Sequence, residues 1–307
     1  MPARGYSLAE VVVSLTIFIA ILVGVLFIFN LNYRLARNRS DTSERLAALR
    51  SARHDMVRLA RMAGRGGLPR ELAIIIDDNV APGTRVGGPD SPAVVAGTDL
   101  LTVRGVFATP LFRVGPADGS LQLGTSGEPA TGVVEIRDPS PQTGVAQSLA
   151  ELAAMLEAGR PAPSALLLVS QLDEAIFAVV ESAVEDAQIE REGDRVTGIS
   201  LEFDTAGAPP ALAGSGPVAA LRGAAFVGIL EEYRFYVRAA FSAPGDDTSN
   251  PRTQLSVARF VPGTDRPWGG TDGSLAVDMA DDVSDLQVTL AVDSDGDSRL
   301  VVELVSG

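Results

Sequence analysis

The chain has 307 residues, no cysteine, no lysine and a formal net charge of −14. Without cysteine it can form neither disulfides nor thiolate metal sites, and the roughly 240 residues beyond its N-terminal stretch are enough for one large domain or two small ones. Residues 1–70 carry 11 Arg against 4 acids, whereas residues 71–307 carry 14 Arg against 35 acids; this acidic bulk speaks against nucleic-acid binding, which needs clustered positive charge.

The first element is an apolar run. Val11–Phe29 contains 19 residues and no charge, and at about 1.5 Å per residue it matches a bilayer core of about 30 Å. A carboxylate, Glu10, sits at its leading edge, where entry into a membrane is costly and marks a functional position. A secretory signal would have a shorter run and a small-residue cleavage site after it, but Asn30-Leu-Asn-Tyr-Arg34 follows instead. Thr16, Ala20 and Gly24 recur at four-residue spacing on one face. They read either as a close-packing seam between helices in lipid or as ordinary small residues of an apolar segment.

The order Arg4, Gly5, Tyr6, Ser7-Leu8-Ala9, Glu10 and Val11–Phe29 resembles the class III leader and N-terminal helix of type IV pilins and pseudopilins. Tyr6 stands where Phe is commoner, and Ala9 where Thr or Val is common. The resemblance implies a leader over residues 1–5, cut after Gly5 by prepilin peptidase, with methylation of the new amine of Tyr6. It also implies that Glu10 docks the subunit by pairing with a neighbour's N-terminal ammonium, because an unpaired buried charge would cost several kcal/mol. The idle alternative for Glu10 is a solvated carboxylate at headgroup level.

A long N-terminal helix is expected over residues 6–64, with about 6–31 in the membrane or filament core. Tyr6–Ala63 holds no Pro and one Gly, and after Asn30 it is rich in Ala, Leu and Arg, strong helix formers. Leu35, Thr42, Leu49, Met56 and Ala63 form a weak seven-residue stripe, with Leu46, Arg53 and Ala60 offset between them. Gly64, with Gly66, Gly67 and Pro69, reads as the stop. Ten arginines from Arg34 to Arg70 face Asp41, Glu44 and Asp55. They suit anionic headgroups, an acidic head of the same or a neighbouring subunit, or plain solvent. The positive-inside rule would keep this flank in the cytoplasm, whereas the resemblance places it outside; long domains translocate despite such charge. His54, the sole histidine, reads as a solvated helix residue.

Residues 65–307 are expected to form a mainly antiparallel β-rich head, as one or two subdomains, so the fold class is α+β. Expected strands are Leu72–Ile76, Leu100–Val106, Leu111–Val114, Gly132–Ile136, Ala165–Leu172, Ile176–Val184, Val196–Phe203, Tyr233–Phe241, Gln254–Val261, Leu286–Val292 and Leu300–Leu304, with one helix over Ser148–Glu157. In Glu231–Arg238, Tyr233, Phe235 and Val237 should face one side, and Arg234, Tyr236 and Arg238 the other. Asp293, Asp295 and Asp297 alternate on a tight acidic turn. They read either as a calcium site, although Ser298 and Leu304 stand where an EF-hand wants Gly and Glu, or as a turn whose Asp and Gly serve the backbone.

The stretches 57–64, 97–104, 165–177, 232–237 and 283–297 resemble the larger PilW-type minor pilins, although relatives often carry disulfides. The resemblance implies a minor pilin whose partners are other minor pilins, the major pilin, prepilin peptidase and an inner-membrane assembly platform. It implies a single-pass protein of the inner membrane with a periplasmic head, later part of a pilus or pseudopilus. No cofactor other than calcium is expected, and the residues hold no catalytic set, so the expectation is a non-enzyme. The alternatives are a J-type minor pseudopilin of type II secretion and a membrane-tethered binding protein that never polymerises.

Overall fold

The computed structural model describes residues 8–87, 91, 93–108, 111–113, 131–137, 145–158, 164–170, 177–182, 188–204, 224–240, 252–268, 276–292 and 298–306. The fold is α+β: a long N-terminal helix followed by antiparallel sheet. The chain divides into two compact units, Met1–Arg50 and Ser51–Gly307.

The first unit is helical from Leu8 onward. Helix α1, Leu8–Met62, runs for 55 residues without interruption, as a segment with one glycine and no proline can. Its apolar part is long and apolar enough to cross a membrane, and its side chains from Val12 to Leu31 are exposed wherever they are described.

In the second unit, the last turns of α1 bury Ala52 and Met56. Of the seven-residue stripe, Met56 is buried and Ala63 half-buried in this unit, with Arg53 exposed and Ala60 half-buried among the offset positions, whereas Leu35 and Thr42 of the first unit are exposed. The covered line in this unit runs through Ala52, Met56, Leu59 and Ala63, the spacing of one helical face. The helix stops as expected. Gly64 adopts φ +76°, its N–H donates to the Arg104 carbonyl at 3.0 Å, and the Val106 N–H donates to the Arg65 carbonyl at 3.1 Å.

Strands β1 (Ile74–Asp77), β2 (Leu100–Gly105), β3 (Phe112–Arg113) and β4 (Thr131–Arg137) precede helix α3 (Val145–Ala158). The expected strand at Leu72–Ile76 begins late, because Arg70–Ala73 forms a single helical turn, α2, after Pro69. Strands β5 (Ser164–Ser170), β6 (Phe177–Ser182), β7 (Gln188–Glu192) and β8 (Arg195–Asp204) follow, then β9 (Ala224–Ala240), β10 (Arg252–Phe260) and β11 (Val277–Asp281). A separate terminal hairpin, β12 (Val283–Val292) with β13 (Ser298–Ser306), closes the chain. The sequence reading missed β7, which is mostly charged, and β11, a short strand before an acidic pair.

Among the described residues, 11 strands form one sheet in the order β1-β2-β9-β5-β6-β8-β4, with β10 and β3 also on β9, β11 on β10 and β7 on β8. Its organiser is β9, whose 17 residues pair antiparallel with β5 and β3 through its first half and with β2 and β10 through its second. Only the second half was expected. The first half, Ala224–Leu230, is continuously apolar apart from Gly228, and so lacks the alternation that marks a half-exposed strand. Gly228 is required there, since a Cβ would lie 2.8 Å from a Val106 methyl.

Side chains alternate along Glu231–Arg238, and both faces are covered: Phe235, Tyr236 and Val237 are all buried. On one face Tyr236 packs with Leu100, Ala258 and Phe260 beneath Val80, Val86 and Val94 of the segment between β1 and β2. On the other, Phe235 pairs in register with Leu101, also fully buried. Burying one such aromatic contributes about 1.5–3 kcal/mol. Helix α3 packs on β8 through Leu149, Leu152, Ala153 and Leu156, the spacing of one helical face. The terminal hairpin is pinned by Asp99: its N–H donates to the Leu286 carbonyl at 2.9 Å, and its carboxylate accepts the Val288 N–H at 2.7 Å and the Asn79 N–H at 3.1 Å.

A Cβ on Gly64 would sit 2.9 Å from the Leu68 carbonyl oxygen at a positive φ. We therefore predict that Gly64→Ala costs about 1–3 kcal/mol, read as a lower thermal midpoint of the detergent-solubilised full chain; an unchanged midpoint would refute this account of the helix stop.

Candidate functional site

Two constellations carry unusual chemistry: the carboxylate-led apolar helix, and a set of buried charges at the centre of the head. Glu10 lies in the first turns of α1, at the start of the apolar stretch. Gly5 and Tyr6, the expected cleavage and methylation residues, lie outside the described residues. Thr16, Ala20 and Gly24 all fall on α1, one helical turn apart. The Thr16 hydroxyl donates to the Val12 carbonyl at 2.8 Å, so its polar atom is satisfied within the helix, as a lipid environment demands. Gly24 is exposed, with nothing within 4 Å of where a Cβ would stand. A neighbouring helix could therefore approach closely along this line. Asp293, Asp295 and Asp297 lie outside the described residues; the hairpin that flanks them is paired as far as Val292 and Ser298. Among the described residues, no group of three His, Asp or Glu side chains is arranged to hold a metal ion. His54 is exposed on α1, as expected of a solvated residue.

The second constellation was not foreseen. Glu231 and Glu232 are 1% and 0% exposed, and each buried carboxylate is costly unless paired and hydrogen-bonded. As neighbours in a strand they point to opposite faces. Glu232 accepts from Arg104 Nε at 2.6 Å, Arg234 Nε at 2.7 Å and the Gly263 N–H at 2.7 Å. Glu231 accepts from the Phe107 and Ala108 N–H groups at 3.0 and 2.6 Å, from Tyr233 Oη at 3.3 Å, and pairs with Arg259 at 3.0 Å. Arg104 also donates to the Leu72 carbonyl at 3.2 Å. Arg234 reaches Asp265 at 2.7 Å and lies 4.3 Å from the Phe260 ring centre, while Arg259 stacks at the same distance on Trp268.

Burial dominates the upward shift of the Tyr233 phenol, and the Glu231 carboxylate adds to it. Burial likewise pushes up Tyr236, with Arg238 opposing. For Arg234, burial favours losing the proton, but Glu232 and Asp265 outweigh it and hold the guanidinium above its ordinary range. The carboxylates are thus committed to internal donors. The arrangement is a lock that fixes the 106–108 and 261–265 segments to the central strand. The sequence signal for it was a Glu-Glu pair set between the apolar run Ala224–Leu230 and Tyr233, with arginines at 104, 234 and 259; only the strand register shows which arginine meets which glutamate.

No protein-family model, curated protein or solved structure matches the chain.

Arg104→Met strands Glu232 with one ion-pair partner fewer and should cost about 3–5 kcal/mol, measured by denaturant unfolding of the full chain in detergent. A loss below about 1 kcal/mol would show that the pair is dispensable. The raised phenols set an alkaline limit. The unfolded chain loses phenolic protons near pH 10 while the folded head retains them, so stability is intact below pH 10 and falls as pH rises beyond it. Ultraviolet titration should show late-ionising tyrosines that Tyr233→Phe and Tyr236→Phe each remove.

Proposed function

We propose that the chain is a minor pilin-like subunit that helps to prime, assemble or cap a type IV pilus. The observation that carries this reading is the ordered motif Gly5, Tyr6, Glu10 and Val11–Phe29, together with an unbroken apolar helix that leads into an antiparallel head. In this reading the N-terminus is cytoplasmic and the head periplasmic. The apolar half of α1 anchors the subunit in the inner membrane and then passes into a filament core. The exchange needs no refolding of that helix, since an apolar surface satisfied by lipid is equally satisfied by other apolar helices, and every backbone group between its ends is bonded within it.

Glu10 supplies register. Once cleavage after Gly5 frees the amine of Tyr6, a subunit seated one position wrong leaves a carboxylate without a cation in an apolar core. That penalty of several kcal/mol favours the correct seat. Thr16, Ala20 and Gly24 line the side along which a neighbouring helix approaches. The mechanism is assembly and involves no turnover. Its partners are other minor pilins, the major pilin, prepilin peptidase and the inner-membrane platform.

Mass spectrometry of the mature N-terminus tests the reading directly. A chain beginning at N-methylated Tyr6 is expected; an intact Met1 or a cut beyond Phe29 would sink it. Glu10→Ala should be cleaved normally yet be depleted at least tenfold from sheared filaments, and normal incorporation would refute the role given to Glu10.

A further inference from the structure

We infer that the basic rear face of the last turns of α1 docks onto the acidic head of a second copy of this chain. The inference deepens the assembly reading, on which it rests for what the contact achieves; the contact itself is tested separately.

The face is set by helix geometry. Ala52 and Met56 are buried, at 2% and 0% exposure. At 100° per residue, Arg50, His54, Arg58 and Arg61 lie on the opposite side in one line, at steps of four, four and three residues. All four are exposed. The nearest acid, Asp55, stands at the margin of the line, 3.7 Å from Arg58 in a largely solvated pair, a geometry that contributes little. The line is therefore a row of cationic and hydrogen-bonding groups directed away from the surface that α1 already covers.

The matching surface is on the head. Arg104, Arg234, Arg238 and Arg259 have side chains only 5–21% exposed, each paired with a carboxylate. These arginines are committed to pairs within the head, Arg234 also to the exposed Asp265. Residues 71–307 carry 35 acids against 14 Arg; Asp77, Asp78, Glu192, Asp194, Asp281 and Glu303 are exposed, as are Arg85, Arg191, Arg195, Arg252 and Arg266. Each copy therefore carries a basic row and an acidic surface on different parts of the chain. Two copies of net charge −14 repel at long range, but that repulsion is screened beyond about 8 Å at physiological salt, leaving contact-range pairing to decide.

Two other anionic partners fit less well. Arg50 stands 21 residues beyond Phe29, about 32 Å of helix rise, whereas the headgroup layer adds only about 5–8 Å to each side of the bilayer core. Nucleic acid would meet the strongly negative remainder of the chain.

The chain has no cysteine, so His54→Cys gives a unique attachment point for a benzophenone photo-cross-linker. Full-length protein would be labelled in neutral detergent and mixed with a nitrogen-15 copy, and cross-linked peptides identified by mass spectrometry. Cross-links from position 54 to residues 71–307 of the other copy are expected at 0.15 M salt and should vanish at 1 M. Arg50→Gln, Arg58→Gln and Arg61→Gln combined should weaken self-association about tenfold or more by sedimentation with an unchanged circular-dichroism spectrum, and the corresponding lysine triple should retain it. Glu10→Ala should leave the cross-link intact, which separates this contact from the leader-based reading. A chain that stays monomeric, cross-links confined to one copy, or cross-links that form only to phosphatidylserine vesicles or to added DNA would each overturn the inference.

Discussion

The head is built around two adjacent carboxylates that should not, by composition alone, be inside it. Glu231 and Glu232 sit at the middle of the longest strand with essentially no exposure. Desolvating an unpaired carboxylate costs several kcal/mol, so the fold persists only if each finds several donors at once. Because neighbouring residues of a strand point to opposite faces, the pair anchors both surfaces of the sheet from one place. Glu232 gathers Arg104, Arg234 and the Gly263 amide. Glu231 gathers the Phe107 and Ala108 amides, Tyr233 and Arg259. Segments far apart in sequence are thereby fixed to one strand, which also pairs with β2, β3, β5 and β10.

This constraint also selects the kind of cation that sits inside. A protein without lysine has only arginine with which to neutralise buried carboxylates, and the planar guanidinium suits the task because it binds through a fixed fork of donors. Four head arginines are committed to carboxylate pairs, and two of them, Arg234 and Arg238, reach the exposed Asp265 and Asp278. The arginines of α1, by contrast, stay exposed. The same logic extends to Asp99, another buried carboxylate, which holds the terminal hairpin by accepting backbone amides in place of a cation.

Legibility in the sequence followed physical range. The helix was visible because its determinants are local: absence of Pro, good helix formers, and a glycine at the turn that must adopt positive φ. Most strands were visible for the same reason. Those that were missed or misjudged depended on something distant. β7 is charged and reads as a loop until β8 lies beside it. β9 was seen only where it alternates, because Val227–Leu230 are consecutively buried and lose the two-residue period. Of the seven-residue stripe of α1, Met56 is buried and Ala63 half-buried while Leu35 and Thr42 are exposed, because a period tells which residues share a face and not what covers it. Of the candidate site, the helix positions of Glu10, Thr16, Ala20 and Gly24 were legible outright, since periodicity alone places them.

The sequence by itself determined the membrane-length apolar helix, the carboxylate at its entry, the position of the helix stop and the α+β class, since each follows from residue type and spacing over a few turns. Only the tertiary structure decided that Glu231 and Glu232 are interior, which arginines meet them, and that both faces of β9 are covered. Those outcomes depend on pairing residues more than a hundred positions apart, such as Arg104 with Glu232. No local pattern encodes which of several arginines will be close enough to offset the desolvation of a buried charge.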